Sequence, residues 1–146
     1  MRAVLRIGLV VLAANELVLG FWTALFSESF YNDVPTVDLT PPYSEHLFRD
    51  FGGATLGIAV VLIAAVIWLD RRLVIVSLIA YLAFSAPHLA FHAGHLHGMS
   101  QLMGTVLIIT LALSVLLPLA LIGIATTASS GASDERLDRQ RGRLRV

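Results

Sequence analysis

The chain reads as an all-α protein, a transmembrane four-helix bundle with both termini on the inner side of the membrane. Three observations predict this. Of 146 residues, 57% are hydrophobic and only 14% charged, with a mean hydropathy of +0.81, far from the composition of a soluble domain. The apolar residues gather into four runs, 4–26, 51–69, 73–91 and 102–124, each close to the roughly 20 residues a helix needs to cross hydrocarbon. Backbone polar groups in lipid must be satisfied internally, so the runs are helices. Finally, nine of the ten arginines are Arg2, Arg6, Arg71, Arg72 and those of the tail from Arg136 onward, all on one side of a four-span chain. The positive-inside rule makes that side cytoplasmic.

The first run begins Met-Arg-Ala-Val-Leu-Arg, a start that also fits a secretory leader. Cleavage near Ala13 and Ala14 would leave too few apolar residues for a span, so it is read as a retained helix. Phe21 and Trp22 suit the outer interfacial belt. Phe26, Phe30 and Tyr31 suit a segment lying along the membrane surface. Pro35, Pro41 and Pro42 exclude a continuous helix through the outer loop, 27–50. That loop carries Glu28, Asp33, Asp38, Glu45 and Asp50 against Arg49 alone, as expected outside.

Ser44, two residues after Pro42, is the expected N-cap of the second helix. On its wheel His46, Asp50, Gly53, Gly57 and Ala64 share a narrow face, where small residues predict the close approach of a neighbour. Asp70-Arg71-Arg72 forms a tight inner turn. The third helix runs outward to Pro87, which frees the carbonyl of Ala83. Pro118 does the same for Ser114 in the fourth. Residues 126–146 read as a charged cytoplasmic tail with a basic end.

The unusual chemistry lies in 85–100, which holds four of the five histidines. At about 100° per residue His88, His92 and His95 fall within about 60° of one another, while His97 points away. Ser77 and Tyr81 lie on the same arc and Ser85 beside it, so the helix has a polar stripe. Glu16 is the second anchor. It lies about 9 Å inside the boundary marked by Trp22, where an ionised carboxylate costs several kcal/mol unless paired or hydrated. It is expected to face the bundle interior, with Gly20, Thr23 and Ser27 on its face. His88 lies about 5 Å inside its own boundary, so the two can share one cavity.

This pattern predicts a pocket open toward the outer face. His46, Asp50, His88 and His92 are its metal-ligand candidates, for zinc, iron or copper, because imidazole and carboxylate suit all three and cysteine is absent. Arg49, Tyr81 and Gln101 are ligand-binding candidates. In a catalytic version Glu16 or His88 moves protons. No glutamate stands between His88 and His92 in the manner of a zinc protease helix, and a haem has no support beyond available histidines. A small lipid-soluble molecule is the alternative occupant. A different reading makes the protein an accessory subunit that docks a partner membrane protein, with the polar cluster purely structural. A homo-oligomer is open, and nothing indicates nucleic-acid binding.

The glutamate of the first helix, the aromatic and proline loop, Ser44-Glu-His-Leu-Phe-Arg-Asp-Phe-Gly-Gly53 and Pro87-His-Leu-Ala-Phe-His92 together resemble a family of small bacterial four-span membrane proteins, broadly DoxX-like. The resemblance covers about residues 15–97. It implies a four-helix membrane bundle and one site made of His46, Arg49, Asp50, His88 and His92.

Overall fold

The computed structural model describes residues 1–39 and 42–143, with 128–143 described by their backbone alone. Pro41, one of the helix-excluding prolines, lies outside the described residues, as do 144–146 and the charged side chains of the tail. The described chain is helical: α1 Arg2–Leu25, α2 Ser27–Asp33, α3 Glu45–Trp68, α4 Arg71–Ala93 and α5 Gln101–Arg143. Four of these, α1, α3, α4 and the Gln101–Thr127 part of α5, are long and apolar enough to cross a membrane. The protein is a multi-pass membrane protein.

Local chemistry explains the breaks between helices. Phe26 leaves the helical region with φ −131° and ψ 47°, ending α1, and α2 starts at once. Pro35 and Thr36 then make a turn closed by Val37 N donating to Val34 O at 3.3 Å. Thr36 takes φ 81°, a left-handed conformation that costs a β-branched residue about 1–2 kcal/mol. Ser44 caps α3 as expected, its side chain accepting from Leu47 N at 3.5 Å. At the other end Leu69 adopts the left-handed conformation with φ 47°, and Asp70 caps α4 by accepting from Arg72 N and Leu73 N, both at 3.0 Å. The cap and left-handed residue together make the tight reversal predicted there.

Among the four long helices, the pairs that pack are α1 with α3, α3 with α4, α4 with α5, and α5 with α1. Consequently α1 and α4 stand diagonally across the bundle. The apolar core sits in the half nearer the Asp70 turn: Leu9 and Leu12 of α1, Leu62 of α3, Leu78 of α4 and Leu121 of α5 are all closed off from solvent. The polar residues of α1 and α4 lie in the other half, toward α2 and the 94–100 loop.

The α1/α3 contact depends on glycine. A Cβ on Gly52 would stand 2.5 Å from the backbone nitrogen of Ala24, and one on Gly20 would stand 2.8 Å from Leu56. The expected close-approach face, Gly53 and Gly57, is instead open, with nothing within 4 Å of either. Small residues occupy both flanks of α3, and the flank with Gly52, Thr55 and Ala59 is the one turned inward. Beyond Thr127 the backbone of α5 stays helical to Arg143, so the tail continues the last span.

Candidate functional site

Glu16 is fully buried, which follows from its place on the face of α1 that also buries Leu9, Leu12, Gly20 and Thr23. Its Oε1 accepts from Asn15 Nδ2 at 3.2 Å. Its Oε2 is sealed from solvent and has no hydrogen-bond partner. Tyr81, 3% exposed, is buried in the bundle interior on α4, the helix that stands diagonally across from α1. Glu16 and Tyr81 are both interior, as their sequence positions predict.

The polar stripe of α4 forms a column through the same interior. Ser77, Tyr81 and Ser85 are buried at successive turns, and His88 and His92 continue it half-buried toward the end of the helix. Three buried hydroxyls turn back onto their own helices: Thr23 donates to Leu19 O at 2.7 Å, Thr55 to Phe51 O at 2.8 Å and Ser77 to Val74 O at 2.9 Å. Ser85 does not. Its Oγ, the Nδ1 of His92 and the Oε2 of Glu16 are the three buried side-chain atoms without a partner among the described residues. All three lie on α1 and α4. Buried polar atoms are ordinarily paired, so this concentration marks the column as the unusual part of the molecule.

The histidines are held by aromatic rings. His88 stacks on Phe84 at 5.3 Å, and Phe84 in turn meets Phe51 of α3 at 5.5 Å. His88 and His92 are edge to face with centroids 4.7 Å apart, and His92 lies edge to face with Phe91 at 5.4 Å. His95 departs from the expected arc because α4 ends at Ala93. It folds back to stack on Phe91 at 4.2 Å, with Nδ1 within 2.7 Å of Phe91 O. A carbonyl only accepts, so Nδ1 carries the proton. His97 is exposed.

The other candidates fall elsewhere. His46 and Asp50 pair with each other at 3.3 Å, their side chains 88% and 65% exposed. They share the open flank of α3 with Gly53 and Gly57, roughly opposite Phe51 on the wheel, and Phe51 is the residue that faces α4. The single site expected from His46, Arg49, Asp50, His88 and His92 is thus divided in the structure between two faces. Arg49 donates to Glu45 Oε1 and to Ala24 O, each at 2.8 Å, clasping one of the carbonyls that the end of α1 leaves free. Gln101 is exposed and borders an open groove of about 540 Å³ with Leu96, Met99, Gly104, Thr105 and Ile108. Among the described residues no group of three or more His, Asp or Glu side chains is gathered at metal-holding distance.

The loop end of the bundle carries an aromatic cluster that joins Trp22 and Phe30, expected as membrane anchors, to Tyr43 and Phe48. Phe30 meets Trp22 at 5.5 Å and Phe48 at 5.9 Å, while Tyr43 stacks on Phe48 at 5.8 Å. The Tyr43 hydroxyl bonds Ser27 at 2.8 Å. Ser85 is buried as its place beside the stripe predicts, while Asn15, itself exposed, is a partner of Glu16 that the sequence pattern does not single out. No family model, curated protein or solved structure matches the chain.

Proposed function

We propose that the protein binds a small lipid-soluble molecule carrying a hydrogen-bonding head group, which it holds in the interior between Glu16 and the Tyr81–Ser85 turn of α4. The observation that carries this reading is the unpartnered Oε2 of a fully buried carboxyl group. An unsatisfied buried polar group costs about 1–3 kcal/mol. A ligand donor placed there recovers it, and Ser85 Oγ, also unpartnered, supplies a second hydrogen bond. In a catalytic version Glu16 takes or returns the ligand's proton, with the apolar walls keeping bulk water away.

The membrane is the plasma membrane of a bacterium and both termini are cytoplasmic in this reading, supported by the arginines at Arg2, Arg6, Arg71 and Arg72 and in the tail. The site then lies in the half of the bundle toward the outer face. The test is extraction and mass analysis of small molecules retained by the protein purified in mild detergent, beside Glu16→Gln and Glu16→Leu. One molecule per chain in the wild type, lost in folded Glu16→Leu, is the expected outcome. A wild type that retains nothing, with a Glu16→Leu variant of higher melting temperature, would make Glu16 merely a burdensome interior acid and refute the reading.

A further inference from the structure

His88 and His92 present a second, separate chemistry at the loop end of α4. They are four residues apart on a helix, the spacing at which two imidazoles share one face and can hold one metal ion. A ring nitrogen binds zinc at about 2.0–2.1 Å, which places the ring centre about 3.2 Å from the ion. Two rings on one ion are then about 4.5 Å apart for a right-angled pair and about 5.2 Å for a tetrahedral one. The observed separation is 4.7 Å. That separation lies between the two values and is compatible with joint coordination.

Two further features agree. The rings are braced before any ion arrives, His88 by the Phe84 stack at 5.3 Å and His92 by the Phe91 edge at 5.4 Å, so little side-chain freedom remains to be lost. His92 Nδ1 is buried without a partner. A histidine that binds metal through Nε2 ordinarily donates Nδ1–H to an acceptor, and no acceptor is present. Ligation through Nδ1 itself removes that deficit.

We propose that His88 and His92 form a two-imidazole site for one divalent transition-metal ion of the zinc or copper kind, with its remaining positions open to water or an added ligand. Imidazole nitrogen selects these ions over magnesium and calcium, which take oxygen. His95 stands apart from the pair, because α4 ends at Ala93 and its ring folds back to stack on Phe91. His46 and Asp50 form their own exposed pair. The proposal does not depend on the ligand assigned to Glu16.

The test uses the full-length protein in detergent, stripped with chelator and titrated with zinc against a chromophoric competitor. The expected result is one zinc per chain, with binding at least about 100-fold weaker in His88→Ala and in His92→Ala. A His95→Ala, His97→Ala double variant should remain within about threefold of the wild type. Circular dichroism and size-exclusion profiles establish that the variants fold. Copper loaded into the wild type gives a readout independent of any variant, because its paramagnetic resonance spectrum should show coupling to two imidazole nitrogens. Unchanged affinity in a folded His88→Ala or His92→Ala variant overturns the proposal. So does loss of binding in the double variant, absence of zinc binding in the wild type, or a copper spectrum without two coupled imidazole nitrogens.

Discussion

Adding one methyl group at adjacent positions of α3 should have opposite effects. At Gly52 a Cβ would lie 2.5 Å from Ala24 N, 2.7 Å from Thr23 Oγ1 and 2.8 Å from Ala24 Cβ. Ordinary contacts begin near 3.5 Å, so Gly52→Ala must drive α1 and α3 apart by about 1 Å at this turn. The first obstacle is backbone, and the Thr23 hydroxyl is held by Leu19 O at 2.7 Å, so neither yields cheaply. Overpacking of this kind costs about 1–3 kcal/mol. Alanine recovers up to about 1 kcal/mol through its better helix propensity. The net expectation is a loss of about 1–2 kcal/mol. At Gly53 nothing lies within 4 Å, so only the propensity gain of up to about 1 kcal/mol operates.

Thermal unfolding followed by circular dichroism in one detergent, with all variants side by side, should show Gly52→Ala melting several degrees below the wild type. Gly53→Ala should match or exceed the wild type. A Gly52→Ala protein as stable as its parent, or a Gly53→Ala protein that is weakened, would refute the packing register of α3. The second result would return Gly53 and Gly57 to the helix interface that their sequence pattern predicts.

Two further variants test the ends of helices. Asp70→Ala removes both hydrogen bonds that cap α4 and should lower stability by about 1 kcal/mol, read as a lower melting temperature, whereas Asp70→Asn should recover most of it. Arg49→Met removes the bond to Ala24 O but only a half-exposed ion pair with Glu45, which by itself contributes at most about 1 kcal/mol. Its effect should therefore be local: amide exchange accelerates by about tenfold across the end of α1 and in α2, while the global melting temperature moves little. Exchange that accelerates equally in α4 would contradict a local role.

The sequence by itself determined the class of the protein and the position of its long apolar helices, because hydrocarbon imposes a length, a helical backbone and an apolar surface that any reader can measure. It also determined that Glu16 and the Tyr81 face of α4 turn inward, since exposing a carboxyl or a row of hydroxyls to lipid is costly enough to outweigh other packing preferences. Ser44 was legible as a cap because capping is a local interaction.

What only the tertiary structure decided concerns positions where that cost is small or the neighbour is distant in sequence. Both flanks of α3 are lined with small residues, and one step along a helix is about 100°; which flank meets α1 depended on the fit of Gly52 against Thr23 and Ala24. That choice carried His46 and Asp50 away from His88 and His92, because near the helix end they can be exposed at little cost. The early end of α4 withdrew His95 from the stripe it would have extended. The diagonal placement of α1 and α4, which sets Glu16 and the Tyr81 face on opposite corners of one interior, arose from all four long helices packing together. Helical periodicity says which side chains share a face, but contact with another helix determines what that face meets.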